Sequence, residues 1–155
     1  MPATFTAVRG AFTPSTTNDN WTLQANSGFL GVVRSIGWGG RTQQSTAYRT
    51  RWAYPSAAPT GAGTTMTVQS TNPAQPATVS CISTYATTQP TLPAEPIGLH
   101  SVDWNGQGGE GVLNFPRRMG WVVAFVSGGV NQYLSCRNVV GTDASGSDYW
   151  VIWEE

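Results

Sequence analysis

The sequence predicts an all-β fold: a single-domain, jelly-roll-like β-sandwich over residues 1–155, with about nine or ten strands. Three observations carry this prediction. Apolar and polar residues alternate in many short segments, and turns rich in glycine and proline separate those segments at regular spacing. No segment longer than about ten residues shows a helical period. The length of 155 residues suits one domain with a substantial core.

The strands are predicted from segments of alternating or β-branched residues between loops of turn-forming residues. In the first part of the chain they are Thr4–Phe12, a short strand around Trp21 and Leu23, the two strands within Arg34–Pro55, Thr64–Ser70 and Ala77–Tyr85. In the second part they are Leu99–Trp104, Val112–Phe115, Gly120–Val126, Tyr133–Val140 and Tyr149–Trp153. Met66 and Val68 are expected to point inward, and the apolar Gly120–Val126 is expected to be buried on both faces.

The stretch Arg34–Pro55 is predicted to form a hairpin around which the chain is organised. In its second strand, Ser45–Tyr54, alternate positions point to opposite faces. The set predicted to face the core is Tyr48, Thr50, Trp52 and Tyr54. The set predicted to face outward is Ala47, Arg49, Arg51 and Ala53. In the first strand one face is expected to hold Val32, Arg34, Ile36 and Trp38, and the turn to use Gly37, Gly39 and Gly40.

Three prolines at a spacing of three follow the strand Ala77–Tyr85. Proline lacks the amide hydrogen that a sheet ladder needs. Pro90, Pro93 and Pro96 therefore predict an extended, polyproline-like crossing in place of a strand.

The charge composition argues against nucleic acid and membrane partners. Charged residues make up 10% of the chain, lysine is absent, and eight arginines balance eight acidic residues. A nucleic-acid binder carries a basic excess, and an anionic membrane attracts one. Neutral polar side chains dominate instead, and they are easier to bury than ions. This composition favours a subunit of a larger assembly, with an ordinary neutral β domain as the alternative.

The segment after Met1 reads PATFT, without the basic and apolar regions of a signal peptide. No apolar run approaches the roughly 20 residues that span a bilayer. We therefore expect the protein to be made in a cytoplasm. In that reducing compartment Cys81 and Cys136 are expected to be buried free thiols, with a disulfide as the alternative.

The candidate chemistry does not assemble into a catalytic or metal site. His100 and Asp103 are three residues apart in a predicted strand and so fall on opposite faces. The cysteines and the histidine lack zinc-ligand spacing, and the loop Asp143–Asp148 lacks the pattern of a calcium-binding EF-hand. Nothing selects a pair of glycosidase carboxylates among Glu95, Asp103 and Glu110. We predict a protein that is not an enzyme and holds no cofactor or metal.

The seven tryptophans admit two interpretations. Most are expected to fill the core, Trp121 above all. In Tyr149–Trp153, alternate positions separate Trp150 and Ile152 from the other three residues, and one of these faces is a candidate subunit contact. The alternative is that an exposed tryptophan stacks on a sugar ring, which would make the protein a carbohydrate-binding module.

At SIGWGGRTQQSTAYRTRWAYP (35–55) and GLHSVDWNGQGGEGVLNFP (98–116), the chain resembles small virion structural proteins of tailed bacteriophages, of the capsid decoration or cement type. The resemblance implies a β-sandwich subunit, commonly a homotrimer, that bridges major capsid proteins and stabilises the head of the virion. Arginine binds carboxylates with two hydrogen bonds. The predicted partner contacts are therefore Arg34, Arg41, Arg49, Arg51, Arg117 and Arg118. The alternatives are a tail, fibre or baseplate component that binds host glycans, and a free carbohydrate-binding module.

Overall fold

The computed structural model describes residues 2–26, 30–41, 46–94, 98–116, 119–124, 132–141 and 146–155. These residues form twelve strands in two antiparallel sheets that pack against each other. The all-β sandwich predicted from the sequence is confirmed, with more strands than the nine or ten expected. Among the described residues, no helix has the length and hydrophobicity needed to cross a bilayer.

The twelve strands have the following bounds. The first six are β1 (Thr4–Phe12), β2 (Trp21–Ala25), β3 (Leu30–Gly40), β4 (Ala47–Ala53), β5 (Gly63–Thr65) and β6 (Val68–Ser70). The last six are β7 (Val79–Tyr85), β8 (His100–Asn105), β9 (Glu110–Asn114), β10 (Trp121–Ala124), β11 (Tyr133–Val140) and β12 (Ser147–Glu154).

Sheet A has the strand order β10-β3-β12-β1-β6, and β9 pairs with β3 beyond the end of β10. Sheet B has the order β5-β7-β2-β11-β4-β8. In sheet A the last strand, β12, lies between β3 and β1 and pairs with both along most of its length. Each sheet therefore has one inner face in the core and one outer face.

Aromatic side chains fill the space between the sheets. Trp21, Trp52 and Trp153 are fully buried, and Phe5 of β1 stacks on Trp153 with ring centroids 5.8 Å apart. In β12 the buried and partly exposed residues alternate strictly along Ser147–Glu154. This period of two is the one expected for a strand with a single buried face.

The predicted hairpin in Arg34–Pro55 is wrong. Strand β3 belongs to sheet A and pairs with β12, β9 and β10, whereas β4 belongs to sheet B and pairs with β11 and β8. The glycines that were expected to form a turn lie inside β3, which continues to Gly40. The chain crosses from one sheet to the other between these two strands, so their alternating patterns face each other across the core.

The predicted face of β3 is also wrong, because the strand is irregular near Arg34. Val33 and Ile36 are both fully buried although they are three residues apart. The register of β3 with β12 shifts at this point, since Ile152 pairs with Ser35 and Trp153 with Val33. A bulge of this kind moves the following residues to the other face. Ile36 and Trp38 are therefore buried, whereas Val32 and Arg34 are only partly buried.

Three further predictions are resolved by the packing. The segment Thr64–Ser70 is two strands, because the chain changes sheets between β5 and β6, with Met66 buried between them. The segment Gly120–Val126 was expected to be buried on both faces, but Val122 is 41% exposed. Cys81 and Cys136 are buried free thiols, as expected, and burial raises the pKa of both.

Candidate interaction face

The arginines predicted as partner contacts lie on both sides of the sandwich. Arg34 and Arg41 belong to the sheet A side, where Arg34 Nε donates to Glu154 at 2.8 Å and Arg41 pairs with Asp148. Arg34 Nη1 also donates to the Met119 carbonyl at 2.9 Å. The predicted contacts Arg117 and Arg118 lie outside the described residues.

The other two predicted arginines belong to β4 in sheet B. Arg49 holds Asp103 through two hydrogen bonds of 2.7 and 3.2 Å, and these bonds lower the pKa of Asp103. Arg51 is only 4% exposed and donates to the Ala94 carbonyl at 3.2 Å. The predicted outward-facing set of β4 therefore includes one nearly buried arginine. Arg41 and Arg49 keep the most exposed side chains, 59% and 41%, and remain predicted contacts.

The outer face of sheet A is where exposed apolar side chains concentrate. Of the seven large hydrophobic residues that are exposed within the described part of the chain, four lie on this face: Val8, Leu30, Val112 and Val122. A fifth, Met119, shortly precedes β10 and is 64% exposed. Of this face, the sequence indicated only the Trp150 and Ile152 side of β12.

One row of four residues crosses this face through direct strand pairing, and we call it the Trp150 row. Val112 of β9 lies opposite Gly37 of β3, Gly37 lies opposite Trp150 of β12, and Trp150 lies opposite Val8 of β1. Val8 is 61% and Val112 54% exposed, with the partly exposed Trp150 between them. The row is thus a continuous apolar strip across four strands.

Trp150 packs directly on the backbone of Gly37. A Cβ atom added at Gly37 would lie 1.9 Å from both Cε2 and Cζ2 of the indole, so only glycine fits beneath the ring. The inner face repeats this device, since a Cβ atom at Gly111 would lie 2.2 Å from Cζ2 of Trp38. Tryptophan covering a cross-strand glycine stabilises the strand that the glycine weakens.

We expect Gly37→Ala to lower the free energy of unfolding by about 1–3 kcal/mol, because the new methyl group overlaps the Trp150 ring. Urea denaturation of wild type and variant measures the loss. Gly39→Ala is the matched control, because its Cβ would meet nothing closer than Glu110 Cβ at 3.9 Å. In a Gly37→Ala/Trp150→Ala double variant the two losses should be less than additive; full additivity would contradict the packing.

A second apolar group lies at the β10 edge of the same face. Val32 pairs with Val122, and Leu30, which is 51% exposed, pairs with Ala124. Ion pairs flank both apolar groups, because Glu154 and Asp148 project from the same side of β12 as Trp150 and are held by Arg34 and Arg41. An apolar centre with a polar rim is the usual anatomy of a protein interface.

Two of the groups considered for catalysis, His100 and Asp103, are engaged in other contacts. The His100 ring stacks on Trp52, with ring centroids 5.7 Å apart, and its centroid lies 6.4 Å from that of Trp121. Asp103 faces the other way and pairs with Arg49. Within the described residues, no three potential metal ligands come together.

Neither models of protein families, nor curated proteins, nor solved structures gave a match to this chain.

Proposed function

We propose that this protein is a non-enzymatic structural subunit of a tailed-phage virion, a capsid decoration or cement protein that bridges major capsid proteins. The observation that carries the proposal is the apolar outer face of sheet A, crossed by the Trp150 row. The compositional resemblance to decoration proteins supplies the setting, a virion, and the oligomer, a homotrimer. In this proposal the outer face of sheet A is the contact with a neighbouring protein.

Removal of this face from water supplies the driving force for the contact. Burying apolar surface yields about 25 cal/mol per Å². The two most exposed residues of the Trp150 row, Val8 and Val112, each lie more than half in solvent. The net charge is zero, so long-range steering contributes little and the association depends on surface complementarity.

The arginine pairs at the rim add specificity. Arg34 and Arg41 each hold one carboxylate of β12, and each guanidinium has further donors for a carboxylate of a neighbour. Arg41 is the better placed of the two because more of its side chain is exposed. Arg51 is a poor contact in this proposal because it is nearly buried on the opposite sheet.

We expect the Val8→Glu/Val112→Glu double variant to lose binding to expanded empty heads of the phage that encodes the chain. Two carboxylates would have to be desolvated against an apolar partner surface, while the fold would tolerate them at positions that are already exposed. Co-sedimentation with the heads and image analysis of their surface measure occupancy. Light scattering measures whether the free protein forms the expected trimer.

The matched control for this experiment is Val140→Glu, which makes the same change at a residue of β11 that is 47% exposed in sheet B. Control and wild type should occupy the heads equally. Full occupancy by the double variant would refute the sheet A contact, and a monomeric wild type that never binds the heads would refute the decoration role.

A second candidate function is glycan binding by a tail, fibre or baseplate component. The observation that favours it is the partly exposed Trp150 on the outer face, since a flat indole can stack on a sugar ring. A glycan array should then give a saccharide whose binding is lost in Trp150→Ala. That result, together with no binding of the wild-type protein to the heads, would favour this candidate.

A further inference from the structure

A groove of about 620 Å³ lies on the outer side of sheet B, away from the apolar face of sheet A. The loop 16–18 forms one wall and the segment 87–94 forms the other. Apart from Ala94, the exposed residues along both walls are neutral and carry hydroxyl or amide groups. They include Thr16, Thr17, Asn18, Thr87, Thr88 and Thr91.

The wall formed by residues 87–94 is held in place by its backbone. Thr60 N donates to the Thr88 carbonyl at 3.0 Å, and Thr91 N donates to the Ala57 carbonyl at 3.0 Å. The predicted proline crossing lies here, and of its three prolines Pro90 and Pro93 are described and line the groove. The groove is thus formed before any ligand arrives.

Two arginines from neighbouring strands line the groove. Arg51 of β4 and Arg137 of β11 lie directly opposite each other in the sheet. Arg137 is neutralised, because its guanidinium contacts Asp19 Oδ1 at 2.6 Å and also donates to the Pro90 carbonyl at 2.5 Å. Arg51 differs, because no described carboxylate pairs with it.

Arg51 is a nearly buried cation that uses few of its hydrogen-bond donors within the described residues. A guanidinium has five N–H groups. Within the described part of the chain, Arg51 makes one hydrogen bond, the 3.2 Å contact to Ala94, although only 4% of the residue is exposed. A buried charge is costly unless it is paired. An anion bound in the groove would supply both the missing charge and the missing acceptors.

We propose that this groove binds a carboxylate-bearing saccharide, with the carboxylate on Arg51 and the sugar hydroxyls along the threonine and asparagine walls. The planar guanidinium fork matches a carboxylate, and neutral hydroxyl and amide groups match a hydroxyl-rich ligand better than they match an apolar one. The site is independent of the apolar contact on sheet A. It stays open to solvent when that face is covered.

The test is calorimetric titration of the full chain with a trimer of galacturonic acid, compared with the methyl ester of the same trimer. The ester keeps the sugar and removes the charge. We expect the acid to bind and the ester to bind about ten- to a hundredfold more weakly, as befits a lost hydrogen bond to a charged group. No heat of binding for the acid, or equal binding of acid and ester, would overturn the proposal.

Three variants separate binding from folding. Arg51→Met should abolish binding. The urea midpoint should stay the same or rise, because the variant removes a buried cation that no described carboxylate pairs with. A large fall in the midpoint with binding intact would show that Arg51 stabilises the fold and does not bind the ligand. Thr88→Glu places a repelling charge at an exposed position of the wall and should also abolish binding. Thr67→Glu, exposed and away from the groove, is its control and should bind as wild type does.

Two further comparisons decide between sources of the carboxylate. Glu95→Gln removes the acid adjacent in sequence to the groove wall, and unchanged affinity in this variant would show that the chain's own carboxylate does not occupy the site. A short peptide containing glutamate should compete poorly with the saccharide. Equal competition would overturn the assignment to a saccharide and indicate an acidic polypeptide as the ligand.

Discussion

Replacing Arg137 with methionine is expected to lower the free energy of unfolding by about 3–5 kcal/mol, the usual cost of leaving a buried charge without its partner. Asp19 is 1% exposed, and its Oδ1 receives Arg137 Nε at 2.6 Å. Its second oxygen accepts the Thr22 hydroxyl, at 2.5 Å. Without the guanidinium, an ionised Asp19 would remain in the interior without the cation that pairs with it. Urea denaturation at pH 7 measures the loss.

The pH dependence of the same variant has a definite sign. Burial raises the pKa of Asp19, an effect that Arg137 opposes, so removing the arginine raises this pKa further. When a carboxyl has a higher pKa in the folded state than in the unfolded state, the protein becomes less stable as the pH rises. The loss begins near the pKa of the unfolded state, about 4, and continues up to the pKa of the folded state. The deficit of Arg137→Met should therefore be smaller near pH 4 than at pH 7.

Two comparisons make this result specific. Adding Asp19→Asn to Arg137→Met removes both charges and should recover most of the lost stability. Arg49→Met breaks the solvent-exposed pair with Asp103 and should change stability little. A loss in Arg137→Met no greater than that in Arg49→Met would show that the buried pair does not stabilise the fold.

Asn138→Ala is expected to lower the free energy of unfolding by about 2–4 kcal/mol, because it leaves buried donors without their shared acceptor. The Asn138 Oδ1 accepts from Tyr149 at 2.7 Å, from Thr50 at 2.8 Å and from Asn20 at 3.0 Å. Burial raises the pKa of the Tyr149 hydroxyl, so it stays protonated and able to donate. Tyr149 belongs to sheet A and Asn138 to sheet B, so the variant also removes a hydrogen bond that joins the two sheets.

Thermal and urea denaturation of Asn138→Ala test this expectation, with Asn114→Ala as the control. Asn114 also accepts a side-chain hydrogen bond, from Ser35 at 2.7 Å, but it is exposed and water can replace it. The network retains the 2.9 Å contact between Thr50 and Tyr149, which limits the loss. Equal stability of the two alanine variants would mean that the buried amide contributes no more than a surface one.

Strand positions could be predicted from this sequence because alternation is a local property. The first strand has the predicted bounds, Thr4–Phe12, and β4 lies within the predicted Ser45–Tyr54. Strand partners could not be predicted, since they depend on which segments meet across the sheet. The glycines of β3 illustrate the difficulty. They have the composition of a turn, yet Gly37 is required by the Trp150 ring that lies on it.

The candidate interaction face was only partly accessible to sequence reasoning. The alternation in β12 correctly separated Trp150 from its buried neighbours. Val8 and Val112, however, are more than 100 positions apart and become members of one row only through the pairing of β1, β12, β3 and β9. The arginines of β4 were predicted to be partner contacts because arginines are concentrated there. Arg51 is nevertheless buried, and it contacts the segment 87–94 that covers sheet B. Neither the pairing of distant strands nor the covering of a sheet by a distant segment can be recognised from a local sequence pattern.

The central place of β12 in sheet A sets the order in which the nascent chain can fold. This strand is the last of the twelve to leave the ribosome, yet β1 and β3 both depend on it for pairing. Until it emerges, two long strands present unpaired edges that can associate with other chains. The pairing of β1 with β12 also forms slowly, because these strands are separated by most of the chain. We therefore expect sheet A to be completed only once β12 has emerged, and the nascent chain to benefit until then from chaperones that shield these edges.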